Sequence, residues 1–352
     1  MNFKDSKSFD NHEVVEFCND PETGLKAIIA VHNTNLGPAV GGCRMYPYAD
    51  EGQALEDVLR LSRGMTYKSA VAGLPMGGGK AVIIGDPAKD KSPELFERMG
   101  KFIESFNGRY VTAEDSGTSV SDLKQVASQT AHVLGVNEAQ EFGGDPSPLT
   151  AYGVFCGIES AVNYQLGRDN LSGVRVAVQG AGAVGRYLIK LLHEAGAKTS
   201  VCDVNLDNLN RARDLGSDIV DVNSIISAEA DVFAPCAMGA ILNDDSISQL
   251  KATIVAGGAN NQLAHLSHAT TLKNRGILYA PDFVINAGGI IEICRQLHDD
   301  PVSETKEKIS HIGATLTEIF TQSHASGLTT AQVAERLAEQ RFLSKQDSSN
   351  VA

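Results

Sequence analysis

Two lysines and an aspartate carry the first chemical signal. Lys68 and Lys80 bracket the small, weakly polar, glycine-rich segment SAVAGLPMGGG, and Asp115 ends the apolar run RYVTAED. Two ammonium groups held close and partly desolvated disfavour each other's charge, so one pKa falls toward neutrality and that lysine becomes able to act as a base. Residue types leave open which lysine does so. Singly, each residue has an ordinary reading as a solvated lysine or a turn aspartate; together they make candidates for one cleft. Gly77, Gly78 and Gly79, directly before Lys80, imply that something lies against bare backbone. The stretch is not a phosphate loop, which needs Ser or Thr after the lysine where Ala81 stands.

A second signal lies a hundred residues on. In VRVAVQGAGAVG, Gly180, Gly182 and Gly185 have G-x-G-x-x-G spacing after an apolar strand and before RYLIKLLHEAG, which has helical periodicity. The first glycine makes the tight turn, the second admits a pyrophosphate, and the third packs helix on strand. Ala183 and Val184 open the helix, whose N-terminus supplies partial positive charge. Asp203 ends the next strand, TSVCD, about 20 residues beyond, where an acid accepts hydrogen bonds from ribose hydroxyls and repels a 2′-phosphate. The expected cofactor is therefore NAD rather than NADP.

Elements must position these groups. Strand patterns cover residues 14–18, 25–32, 80–84 and 109–115. Between them, Asp50 is placed to cap a helix through Ala54, Leu55, Val58, Leu59 and Ser62 toward Met65, and Ser92 with Pro93 starts another bearing Leu95, Phe96, Met99, Phe102 and Ile103. The polar GVNEAQEFGGDPSP then marks a boundary, with a hinge at residues 145–148. Pro148 opens a long helix to Gly167, and strands at 174–179, 198–203, 231–236, 253–256 and 277–280 alternate with helices, which predicts a parallel sheet. Thr329 with Gln332 forms a capping box for a last helix that could return to the first domain, and residues from Ser344 read as a frayed tail. The expected division is 1–145, 146–327 and 328–352.

Composition excludes several classes. Lys plus Arg number 30 against 43 Asp plus Glu, a net charge of −13 with no basic stretch, so nucleic acid and anionic membranes are poor partners. The polar N-terminus lacks a signal-peptide core and no apolar run spans a bilayer, which predicts a cytoplasmic protein. Six scattered cysteines without a CxxC pair read as buried free thiols. His265 and His268 lack an evident third ligand, so no metal is expected. Neither G-x-S-x-G nor H-E-x-x-H occurs, which argues against a hydrolase.

The segments GPAVGGCRMYPY, LSRGMTYKSAVAGLPMGGGKAVI, GRYVTAEDSGT, DPSPLTAYGV and VINAGG, with the fingerprint, resemble the glutamate/leucine/phenylalanine/valine dehydrogenase family along nearly the whole chain, its leucine branch most closely. The resemblance implies an α/β protein with an N-terminal catalytic and oligomerisation domain and a C-terminal Rossmann-type NAD-binding domain. It implies oxidative deamination of an L-amino acid to a 2-oxo acid, ammonia and NADH, in a homo-oligomer of two to eight subunits. It places the substrate α-carboxylate on Lys68 with Met65 and the backbone of Gly41 and Gly42. Lys80 is then the base that activates water, and Asp115 handles protons at the amino group. Thr150 and Asn261 fall near the nicotinamide and substrate, and domain closure about the hinge excludes water.

Where glutamate-specific members carry a lysine before the Gly-Gly pair, this chain has Val40. A second substrate carboxylate would be buried unpaired there, so glutamate should be rejected. Val40, Ala113, Ile290 and Ile293 form the expected apolar wall, favouring leucine, valine or isoleucine. Glu292 departs from the neutral polar residue that the resemblance leads one to expect. The alternatives are an aromatic amino-acid dehydrogenase and a catalytically silent NAD-binding regulatory homologue. Retention of Lys68, Lys80 and Asp115 together argues against the latter.

Overall fold

The computed structural model describes residues 3–136, 145–237, 239–298 and 300–349. The chain divides into two compact units. Met1–Gly144, Gln296–Asp299 and Ala338–Ala352 form the first; Asp145–Arg295 and Asp300–Leu337 form the second. Residues 137–144 of the expected boundary segment lie outside the described residues.

In the first unit the strands are β1 (Val14–Asp20), β2 (Leu25–Asn33), β3 (Ala39–Tyr46), β4 (Gly77–Ile84) and β5 (Tyr110–Glu114), with helices α1 (Glu51–Val71), α2 (Pro93–Glu104) and α3 (Val120–Ala127). The sheet order is β1-β2-β4-β3-β5; β2 is antiparallel to β1 and β4, while β3 is parallel to β4 and β5. Asp50 caps α1 by accepting the Gln53 N–H, and Ser92 caps α2, with Pro93 in its first turn. Leu95, Phe96, Met99, Phe102 and Ile103 of α2 pack on one sheet face, where Leu123 and Val126 of α3 join them. On the other, Ala54, Leu55, Val58 and Leu59 of α1 meet Ile28, Ala30 and Val82.

β3 and α3 are absent from the sequence-based expectation. Two glycines in the middle of β3 remove the side chains by which a strand pattern is recognised, yet the strand sits between β4 and β5, paired with β5 over Ala39–Cys43 and with β4 on either side of the Gly41–Gly42 pair. α3 is short and is fixed by a capping box between Ser119 and Asp122.

The triple glycine needs a different account from the expected one. An ideal Cβ on Gly77 would overlap the Asn33 carbonyl, one on Gly78 the Thr66 backbone of α1, and one on Gly79 would lie 2.7 Å from the Tyr110 ring. Protein atoms already occupy the space beside all three. Their bareness lets β4 press against β2, α1 and β5, and no substrate is required to explain it.

The second unit begins with α4 (Ser147–Leu166), ended by Gly167 in the left-handed conformation. Then come β6 (Arg175–Gln179), α5 (Ala183–Glu194), β7 (Lys198–Cys202), α6 (Leu206–Asp214), β8 (Asp218–Ile219), β9 (Val232–Pro235), α7 (Asp244–Gln249), β10 (Ile254–Val255), α8 (Ser267–Asn274) and β11 (Leu278–Tyr279). The helices α9 (Asp282–Ile285), α10 (Gly288–His298), α11 (Val302–Ser326) and α12 (Thr330–Ser349) follow. All pairings in this sheet are parallel and the order is β11-β10-β9-β6-β7-β8, that of a doubly wound dinucleotide-binding sheet. The short edge strand β8 adds to the strands expected from sequence. The Thr329–Gln332 capping box forms, with the Thr329 N–H donating to Gln332 Oε1 at 2.9 Å. From Ala338 onward α12 belongs to the first unit, where Glu339 accepts from Tyr67 at 2.8 Å. The helix runs to Ser349, past the Ser344 at which a frayed tail was expected to begin, and residues 350–352 of that tail lie outside the described residues.

Behind α1, two buried histidines stack edge to face: His12 bonds Leu59 O and Ser62 Oγ, and His32 Nδ1 bonds Thr66 Oγ1 at 2.8 Å. Burial, then the neighbouring His12, lowers the His32 pKa to about 4, with Asp10 opposing. Between pH 6.5 and about 4 the unfolded chain thus binds a proton that the folded chain refuses, so stability falls as pH falls through that window, by at most about 3 kcal/mol. Urea unfolding followed by fluorescence from pH 7.5 to 4.5 should show this slope. In His32→Asn the slope should flatten although the variant is less stable at pH 7.5; an unchanged slope would assign it to other groups.

Candidate active site

β3, β4 and β5 bring the first group of predicted residues together. Parallel register sets Val40 opposite Gly78 on one side and Val111 on the other, and Gly42 opposite Ala113. With side chains alternating along each strand, Lys80 lies on the face of β4 that α1 covers, between Gly78 against Thr66 and Val82 against the α1 core. Lys80 is buried and its Nζ forms an ion pair with Asp115 Oδ2. Val40 is fully buried and Ala113 is 8% exposed.

Asp115 follows β5 directly. Its Oδ1 accepts the Ser116 N–H at 2.8 Å, and Thr118 Oγ1 ties the turn to Cys43 O at 2.8 Å. Gly42 gives this turn room: a Cβ there would lie 2.7 Å from Asp115 Cβ and 2.7 Å from Glu114 O. Burial would raise the Asp115 pKa, but the charges of Lys80 and Arg44, with hydrogen bonds from Lys80 and Ser116, hold it below the usual carboxylate range. The carboxylate is therefore ionised and faces cations. The charge set against Lys80 is a carboxylate's, a feature absent from the two-lysine expectation.

A Cβ on Gly41 would lie 3.3 Å from Met65 Cγ, so Met65 of α1 roofs the Gly41–Gly42 backbone. Lys68 is half-buried in the last turn of α1, three residues on and on the same helix face as Met65. Arg44 escapes notice in the sequence although period two along VGGCRMY puts it on the face of Val40 and Gly42. Its Nε lies 3.5 Å from Asp115 Oδ2 and its Nη1 2.9 Å from Asp57 Oδ2.

The second unit carries the other predicted residues. Gly180 has φ +95° and packs where its Cβ would lie 2.7 Å from Ala237 Cβ, beyond β9, at the point where strand order reverses. Gly185 has no room for a Cβ beside Gly180 O, whereas nothing lies within 4 Å of one on Gly182. Open space at the second glycine, and an α5 N-terminus at Ala183 and Val184 without a side-chain cap, fit a dinucleotide's pyrophosphate. Asp203 lies just after β7; its Oδ2 accepts the Ala181 N–H at 2.7 Å and Oδ1 the Asn205 N–H at 2.8 Å, which fixes its carboxylate beside the glycine turn.

Thr150, in the first turn of α4, has Oγ1 2.9 Å from a Cβ built on Gly289. Asn261 is exposed with φ +51° in a turn after β10, and its carbonyl accepts the Ala240 N–H at 2.7 Å. On α10, Ile290 is buried and Ile293 half-buried. Between them in sequence, Glu292 is buried and bound in two-pronged fashion by Arg295, with Nη2 to Oε1 at 2.7 Å and Nε to Oε2 at 2.9 Å. Its charge is compensated within the same helix.

Other chemistries find no support among the described residues. No group of His, Cys, Asp or Glu could hold a metal ion, and no helix is long and apolar enough to cross a membrane. All six cysteines are free, and burial pushes the Cys43 thiol up to about 12 and those of Cys156, Cys202, Cys236 and Cys294 to about 11.

Comparison with known proteins bears on this arrangement. Residues 12–132 match the family model described as Glu/Leu/Phe/Val dehydrogenase, dimerisation domain, and residues 145–205 and 205–338 that of Glutamate/Leucine/Phenylalanine/Valine dehydrogenase. A leucine dehydrogenase of Bacillus subtilis (strain 168) is 47% identical over 341 residues, covering 97% of this chain and 93% of that protein. A phenylalanine dehydrogenase of Bacillus thermotolerans is 47% identical over 338 residues, covering 94% and 88%. The crystal structure of L-tryptophan dehydrogenase from Nostoc punctiforme superposes with a TM-score of 0.85 at 41% identity, over 96% of this chain and 97% of that one. The chain belongs to the Glu/Leu/Phe/Val dehydrogenase family. It is an amino-acid dehydrogenase, an oxidoreductase acting on the CH–NH2 group.

Gly42 gives a direct test of the Asp115 turn. Gly42→Ala should lower amino-acid dehydrogenase turnover by about 10- to 100-fold, because the added methyl displaces Asp115 from Lys80. Circular dichroism should report an unaltered fold; full activity would show that the turn yields without cost.

Proposed function

We propose that the protein catalyses the NAD-dependent, reversible oxidative deamination of branched-chain L-amino acids. The amino acid, NAD+ and water give the 2-oxo acid, ammonium, NADH and a proton. The observation that carries this reading is the buried Lys80–Asp115 ion pair set beside the uncharged Val40 and Ala113. Bound NAD would supply a hydride acceptor, held by Gly180, Gly182, Ala183, Val184 and Gly185 at its phosphates, Asp203 at the adenosine ribose and Thr150 near the nicotinamide.

Lys68 binds the substrate α-carboxylate, and the Gly41–Gly42 backbone under Met65 shapes its seat. Asp115, ionised at neutral pH, takes a proton from the substrate ammonium and later returns one to departing ammonia. Lys80, once neutral, removes a proton from the water that adds to the imino carbon. Asn261 orients the substrate. Val40, Ala113, Ile290 and Ile293 take the side chain, and a glutamate carboxylate would be left unpaired against Val40 at a cost of several kcal/mol.

Two relatives of similar identity are a leucine and a phenylalanine dehydrogenase, so an aromatic substrate is the competing reading. The match of residues 12–132 to a dimerisation domain supports a homo-oligomer. NADH formation at 340 nm with leucine, isoleucine, valine, phenylalanine, tryptophan and glutamate separates these readings. The expected kcat/KM for the aliphatic substrates exceeds that for glutamate by at least about 1000-fold and that for phenylalanine by about 10-fold. A preference for phenylalanine or tryptophan would overturn the branched-chain assignment. Lys80→Ala should lose about 1000-fold or more in kcat, and selective use of NADP would remove the role given to Asp203.

A further inference from the structure

We propose that Arg44 is a positioning residue for the dehydrogenase reaction, holding the Asp115 carboxylate against Lys80 while Asp57 holds Arg44 from the other side. The inference rests on the reading of Asp115 as the group that handles the substrate's amino protons. Strand register puts Arg44 within reach of that carboxylate. Cys43 stands opposite Glu114, so the next residue of β3 faces the first residue after β5, which is Asp115.

Both ends of Arg44 are engaged. Nε lies 3.5 Å from Asp115 Oδ2, and Nη1 donates to Asp57 Oδ2 at 2.9 Å. Asp57 is itself held by the Tyr48 hydroxyl at 2.7 Å and by Arg60 Nη2 at 2.8 Å. From α1 inward the charges alternate: Asp57, Arg44, Asp115, Lys80. Each carboxylate has a cation on either side, and the Arg44 side chain is only 24% exposed.

The two cations on Asp115 differ in one respect that matters to a proton-transfer cycle. Lys80 must lose its proton to serve as a base, and at that moment its hold on Asp115 is gone. A guanidinium keeps its charge throughout. Arg44 therefore keeps the carboxylate ionised and aimed when Lys80 is neutral. Consistently, burial opposes Asp115's charge, with Lys80 first and Arg44 second among the charges that restore it.

The pH profile of kcat/KM for leucine oxidation tests this, with kcat and KM at each pH. In Arg44→Gln and Arg44→Met the acidic limb should move up by about 1 pH unit, because the Lys80–Asp115 pair, having lost a neighbouring cation, holds its protons to higher pH. Arg44→Lys should restore the limb to its original place. Asp57→Asn, which releases the guanidinium's anchor, should cut kcat by about tenfold with KM little changed. This variant decides the matter if the neutral Arg44 variants do not fold. An unmoved acidic limb in a folded Arg44→Gln, or unchanged kcat in Asp57→Asn, would overturn the proposal. Asp115→Asn is the separate control: parental turnover there would sink the reading of Asp115 on which the inference rests.

Discussion

The first unit is organised around a charge pair that burial alone would forbid. Lys80 is buried and burial opposes the charge of Asp115, so removing one would leave the other's charge without its main partner. Everything nearby follows from keeping them together. β3 and β5 run parallel in the register that brings the Asp115 turn to Arg44; Gly42 leaves the gap that the turn enters; Thr118 Oγ1 ties the turn to Cys43 O and the Ser116 N–H donates to the Asp115 carboxylate.

The second unit solves a different problem with ordinary means. Its six-stranded parallel sheet reverses strand order at β6 and β9, which opens a crevice at the carboxyl ends of those strands. Gly180 and Gly185 are bare because protein packs against them, and Gly182 is bare with nothing in front of it. One motif thus contains two kinds of glycine, and of the three only Gly182 has open space where a side chain would stand.

Much of this was legible in the sequence because period and punctuation agreed. Asp50, Ser92 and Thr329 cap the helices they were expected to cap, and the parallel strands of the second sheet stand where the apolar runs predicted. What was not legible has a common cause. β3 is disguised by its glycines, and the partnership of Arg44 with Asp115 depends on that strand's register, so missing one hid the other. Glu292 stood out only as a departure from the neutral polar residue expected there, because its partner Arg295 lies on the following turn and an i,i+3 pair is visible only once the helix is placed.

The crowding around Gly77, Gly78 and Gly79 bears on how a fold of this kind can diversify. With Asn33, Thr66 and Tyr110 filling every direction in which a side chain could grow, that part of β4 is an incompressible floor under Lys80. Changes of substrate range must then be written elsewhere, at walls such as Val40 and Ala113 or along α10, while the strand that carries the lysine stays bare.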